Sequence, residues 1–141
     1  MTSSRQIAVF SHCHPSISKG GAEIAAYSHY IGLRALGYDA IFVAAVPEHQ
    51  RSILKLASSD ELAVFYEHWE YDHFFNLGHP RITRQIEKIM ADRRIDLAFF
   101  HHYLYFGLDG VRSASRRCRT FVTLHEFVSL CFNHGQMIKR P

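Results

Sequence analysis

The sequence predicts an α/β fold in which an open parallel sheet carries flanking helices. Two observations lead there. Short apolar runs recur along the chain, at Ile7 to Phe10, Ala40 to Val46, Leu62 to Phe65, Leu97 to Phe100 and Thr120 to Leu124, with helix-period segments between several of them. The run from Ala40 to Val46 shows no polar alternation, which marks a strand buried on both faces, as parallel sheets require. Alternating strands and helices with glycine-punctuated connections imply right-handed crossovers.

Each element follows from a local pattern. After the first run, Ile24, Tyr27, Ile31 and Ala35 fall at helical spacing, and Gly37 ends that helix where a left-handed residue is wanted. The stretch from His68 to Gly78 is aromatic and irregular, with Trp69, Tyr71, Phe74 and Phe75 close together, and reads as a long functional or packing loop. Pro80 suits the first turn of a helix whose apolar stripe is Ile82, Ile86, Ile89 and Met90, up to Arg93. Leu104, Leu108, Val111 and Ser115 lie on one face of a further helix, weakened by Gly107 and Gly110. With no repeat or linker, residues 1–141 read as a single domain.

Composition narrows the function classes. The chain has 141 residues, of which 48% are hydrophobic and 21% charged, enough for one core. A formal net charge of +3 argues weakly for anionic partners and against bulk nucleic-acid binding. Cys13, Cys118 and Cys131 are an odd set without paired spacing, so a reducing compartment, the cytoplasm, is expected. The first residues do not read as a secretory signal, and no apolar run reaches the roughly 20 residues a membrane span needs. Any membrane contact would then be peripheral. Arg112, Arg116 and Arg119, with Arg117 beside them, form a basic stripe that is either a solvated face or a means of approaching an anionic membrane surface.

The chemistry-bearing residues gather at strand ends, where open parallel sheets bind ligands. His12 and His14 follow the first strand, His101 and His102 the fourth, and His125 with Glu126 the fifth, so five of the eleven histidines converge on one edge. Gly20 and Gly21 precede the first helix, where backbone can approach a ligand and free N–H groups can face an anion such as a diphosphate; a tight turn would equally need two glycines. Glu23 in the first helical turn is accounted for by the helix dipole alone. The glycines match neither G-x-G-x-x-G nor a Walker loop, so neither NAD binding nor ATP hydrolysis is expected. His12-x-His14 with His101-His102 can supply imidazoles to zinc, which gives a metal-dependent hydrolase as a second reading, although H-E-x-x-H and C-x-x-C are absent. Cys13, between two histidines, is a weaker nucleophile candidate. A non-catalytic module binding a glycan or a protein at the same edge is a third reading.

Three stretches together carry a resemblance. Lys19-Gly-Gly-Ala-Glu23 with Leu36-Gly-Tyr-Asp39, then Asp96-Leu-Ala-Phe-Phe-His-His102, then Val122-Thr-Leu-His-Glu-Phe-Val-Ser-Leu-Cys131 resemble the N-terminal half of family 4 retaining glycosyltransferases of the GT-B fold. The resemblance implies a Rossmann-like acceptor-side domain that forms one wall of a cleft. It implies that Gly20, Gly21 and Glu126 meet the diphosphate and sugar of a nucleotide-sugar donor, and that His125 sits at the reaction centre. His12, His14, Glu23, His101 and His102 would line the cleft. No metal and no cofactor beyond the donor substrate is implied, and the acceptor would be a glycan or lipid-linked molecule at the inner face of a membrane. The family's C-terminal nucleotide-binding domain has no counterpart in these residues. The chain is therefore expected to be an incomplete half, inactive alone, that pairs with such a domain or self-associates.

Overall fold

The computed structural model describes residues 6–72 and 75–125. Glu126, Cys131 and Phe74 of the aromatic stretch lie outside the described residues. Five strands, β1 (Gln6–Ser11), β2 (Ala40–Pro47), β3 (Glu61–Tyr66), β4 (Ile95–His101) and β5 (Arg119–Thr123), form one sheet in the order β3-β2-β1-β4-β5, every neighbouring pair parallel. Parallel neighbours cannot be joined by hairpins, so the chain crosses over through helices α1 (Gly21–Ala35), α2 (Pro80–Arg93) and α3 (Gly107–Ser115), and between β2 and β3 through a 3-10 helix at Glu48–Ile53. The architecture is the expected open, Rossmann-like one.

Alternation along each strand divides the core into two layers. Ile7, Val9, Phe42 and Ala44 pack with Ala26 and Tyr30 of α1. Ala8, Phe10, Val43 and Phe100 pack on the other face with Ile82, Ile86 and Met90 of α2 and Ala114 of α3. All eight residues of β2 are buried, which is why its sequence shows no polar alternation. Phe10 and Phe100, opposite each other in register, stack at 4.2 Å, and Phe106 closes edge-on against both.

Two helices depart from the expected faces. In α1 the buried positions are Glu23, Ala26 and Tyr30, while Ile24 and Ile31 are half exposed. The apolar stripe therefore lies one position off, because Glu23 and Tyr30 face inward where the sequence offers larger aliphatics nearby. In α3 the buried residues are Gly107, Gly110, Ser113 and Ala114, and Leu108 is exposed. Whatever helix propensity they cost, the glycines bring this helix close to its neighbours. A Cβ on Gly110 would lie 2.7 Å from Cδ1 of Ile86, and one on Gly107, whose φ is +75°, would overlap the backbone of Gly78. By contrast α2 buries the expected Ile82, Ile86 and Met90, with Pro80 in its first turn.

The aromatic stretch before α2 is pinned rather than loose. Its 3-10 turn at His68–Glu70 closes a capping box in which Glu70 accepts from the backbone N–H of Glu67 at 2.7 Å. The Glu70 carboxylate is fully buried and accepts from Nε and Nη2 of Arg81 at 2.5 and 2.7 Å, with Nδ1 of His79 at 3.2 Å. The Arg81 hydrogen bonds hold its carboxyl below the ordinary value against the opposing effect of burial.

The two kinds of glycine separate in a stability measurement. Gly107→Ala should lower stability by more than about 1 kcal/mol through strain and overlap with Gly78. Gly32→Ala, in open space on the exposed side of α1, should raise it by about 0.5–1 kcal/mol. Urea midpoints that moved in the same direction for both would contradict this packing.

Candidate functional site

The strand order reverses at β1. From β1 the chain crosses over α1 to β2 on one side, while β4 pairs on the other, so the loops leaving β1 and β4 run to opposite faces of the sheet. A crevice at such a switch point is where open α/β sheets take ligands. The rings of His12, after β1, and His102, after β4, meet across it edge-on at 5.8 Å.

The loop after β1 is organised around two buried carboxylates. Glu23 accepts from the hydroxyl of Ser18 at 3.0 Å, and Nε2 of His12 lies 3.4 Å from the same oxygen. A Cβ on Gly20 would collide with Oε2 of Glu23, whereas a Cβ on Gly21 would meet nothing within 4 Å. Gly20 thus makes room for the carboxylate, and Gly21 keeps the N-terminal turn of α1 open. His14 turns away from this group. Its Nδ1 accepts from the backbone N–H of Ser16 at 3.0 Å, so Nε2 carries the proton and donates to the buried Glu61 at 3.2 Å. Glu61 also accepts from the Tyr27 hydroxyl at 2.7 Å; burial and this bond push the Tyr27 phenol up to about 12. His14 holds the loop onto β3 rather than lining the crevice.

On the α1 face, alternate residues of β4 and β5 run upward side by side. Phe99 stacks on Phe121, and one step further His101 stacks on His125 at 5.2 Å. His29, which projects from α1 onto Phe99, joins them. Its Nδ1 is 3.0 Å from Nε2 of His101, and Nδ1 of His101 is 3.0 Å from Nε2 of His125. Burial holds His101 down to about 4, helped by the neighbouring charges His29 and His125 would carry, and burial also lowers His29. His101 is therefore neutral at physiological pH. His29 has no strand-end position to mark it in the sequence; its signal is the α1 spacing from Ala26 and Leu33, which face the sheet.

The turn after β4 is held in an uncommon backbone conformation. His102 and Tyr105 are both left-handed, with φ of +70° and +66°. Nδ1 of His102 accepts from the backbone N–H groups of Tyr103 and Leu104, and the backbone N–H of His102 donates to the carbonyl of Thr123 at 2.9 Å. The turn delivers Tyr105 to an aromatic wall, stacked on Tyr66 at 4.4 Å, beside Tyr71 at 4.8 Å and 6.4 Å from the His12 ring. Burial raises the phenols of Tyr66 and Tyr71, the latter to about 12, so both stay protonated. The aromatic stretch thus reaches the crevice through Tyr71.

No protein-family model matches the chain, and no curated protein matches it. Among the described residues no three His, Cys, Asp or Glu side chains converge as a metal site would require. His12 and His14, the proposed zinc pair, instead face separate carboxylates. Burial raises the Cys13 thiol, which opposes its use as a thiolate nucleophile. Arg112 and Arg116 border a hollow between α2 and α3, while Arg119 lies at the other end of the sheet in a hollow of about 470 Å³ with Ile7, Tyr38, Asp96 and Leu97, so the basic stripe is divided. No helix among the described residues is long and apolar enough to cross a membrane.

The neutrality of His101 has a measurable consequence. Unfolded, this imidazole takes a proton near its ordinary 6.5, but the folded protein resists until about 4. Its contribution is complete above pH 6.5 and is lost as pH falls toward 4, a loss on the order of 2–3 kcal/mol. Urea midpoints should fall over that interval, and His101→Phe should remove that part of the slope. Equal slopes in the two proteins would contradict a neutral His101.

Proposed function

We propose that the chain is the acceptor-side domain of a retaining glycosyltransferase, which passes a sugar from a nucleotide-sugar donor to a glycan or lipid-linked acceptor. The observation that carries this reading is the juxtaposition, at the β1/β4 switch point, of His12 and His102 with the open N-terminal turn of α1, while His125 rises at the end of β5. The aromatic wall of Tyr66, Tyr71 and Tyr105 supports it, since sugars pack their apolar faces on aromatic rings while hydroxyls seek polar partners such as imidazole.

In this reading His125 touches the donor sugar, and the backbone at Gly20 and Gly21 approaches the diphosphate, with Glu126 beside the sugar. The new glycosidic bond forms between an acceptor oxygen and the anomeric carbon as the bond from that carbon to the diphosphate oxygen breaks. Negative charge grows on the diphosphate, where the free N–H groups of α1 offer stabilisation. Glu23 occupies part of this space, so an arriving diphosphate must displace its carboxylate. Turnover would also need a nucleotide-binding domain facing this edge. The half-exposed Phe121, Val122 and Leu124 at β5 supply apolar surface for such a partner or for self-association. The site of action would be the cytoplasm, at the inner face of a membrane.

Calorimetric titration of the chain with nucleotide sugars and candidate acceptor glycans tests the proposal. Sugar-ligand binding should be measurable and should weaken at least about tenfold, roughly 1.4 kcal/mol, in His125→Ala. The absence of binding across the panel, or binding indifferent to His125→Ala, would overturn it, and sugar transfer by the chain alone would overturn the need for a second domain.

A further inference from the structure

The three imidazoles on the α1 face form a continuous line from the ligand edge into the molecule. Each contact pairs an Nδ1 with an Nε2, His29 with His101 and His101 with His125, at 3.0 Å in both cases. A neutral imidazole has one N–H and one lone pair, so the middle ring cannot donate to both neighbours. If Nε2–H of His101 donates to His29, its Nδ1 must accept from Nε2–H of His125. If instead Nδ1–H of His101 donates to His125, its Nε2 must accept from Nδ1–H of His29. The line has only these two fully hydrogen-bonded settings among neutral rings. In the first, His125 keeps a bare Nδ1; in the second, its proton sits on Nδ1.

We propose that His29 and His101 are positioning residues that set the tautomer of His125, and that the three rings act as one tautomer relay. Passage between the settings is balanced. A proton taken up at Nδ1 of His125 is followed by transfer of its Nε2 proton to Nδ1 of His101, then of the His101 Nε2 proton to Nδ1 of His29, and release of the His29 Nε2 proton to water. Three neutral rings begin and three neutral rings end. The outer ring His29 is only partly buried and rests on Phe99, whereas His101 is 8% exposed and is faced by its two imidazole partners, His29 and His125, the titratable groups that act on it. Through this line a residue of α1 decides whether the ligand edge presents a hydrogen-bond acceptor or a donor at Nδ1 of His125. In the first setting that acceptor suits a sugar hydroxyl, which rests on the glycosyltransferase reading; the relay itself does not.

Nitrogen-15 NMR of the histidine rings at neutral pH tests the relay without any ligand. Coupling across both N–H···N bonds should be seen in the wild-type chain. In His29→Phe the His125 nitrogens should shift toward the other tautomer, although His29 and His125 share no hydrogen bond. His29→Asn, whose side-chain amide can accept or donate in place of Nδ1, should restore the wild-type pattern. His14 and His102, whose Nδ1 atoms accept from backbone N–H groups, should remain Nε2–H tautomers in every variant and report that the fold is intact. Absence of both couplings in the wild type, or an unchanged His125 signature in a folded His29→Phe, would overturn the proposal. A relay that is present in a chain that binds no sugar would leave this inference standing and remove the functional reading instead.

Discussion

The pairing of β1 with a parallel neighbour on each side is the constraint on which the rest of the molecule depends. Because β2 and β4 both run alongside β1, neither can be joined to it by a hairpin, and the loops leaving the ends of β1 and β4 run to opposite faces of the sheet. That divergence opens the crevice and puts His12, His102 and the first turn of α1 around it. The same pairing sets how deep the side chains sit. Phe10 and Phe100 seal the layer beneath, so the boundary of the core falls one or two residues further along, where His12 is partly exposed and His101 and His102 are buried.

At that boundary polar groups are made tolerable by pairing them. Glu23 is matched by His12 and Ser18, Glu61 by His14 and Tyr27, and His101 by two other imidazoles. The first two arrangements employ carboxylates, and the second fixes a proton on Nε2 of His14. The third contains no carboxylate, and so no fixed direction is built into it. Burial keeps His101 neutral, and neutrality is what allows its hydrogen bonds to run either way. An edge combining fixed and reversible donors beside an aromatic wall suits a ligand rich in hydroxyl groups.

Much of this was legible in the sequence, for a physical reason. Strands buried on both faces need apolar residues at every position, and the run from Ala40 to Val46 has them. The pattern of strands also placed His12, His101, His102 and His125 at or just past strand ends, where the structure groups them as His12 with His102 and His101 with His125. What could not be read were positions where a polar residue is buried because its partner comes from far along the chain. Glu23 is a nearer case, facing inward toward His12 and Ser18 across the loop after β1, while Ile24 and Ile31 are half exposed. His29 was hidden in the same way, since its partner is 72 residues distant. In α3 the glycines suggested weakness only because their neighbours, Gly78 and Ile86, are invisible in the local sequence.

The most direct test of the account is backbone and side-chain NMR shift mapping with a saturating sugar ligand, a nucleotide sugar or an acceptor glycan. The account predicts that the perturbed signals fall in the loops after β1, β4 and β5, at Gly21, His12, His102, Tyr105 and His125. Perturbation centred on the opposite end of the sheet, at Ile7, Tyr38, Asp96 and Arg119, would place the site in the hollow there and contradict it.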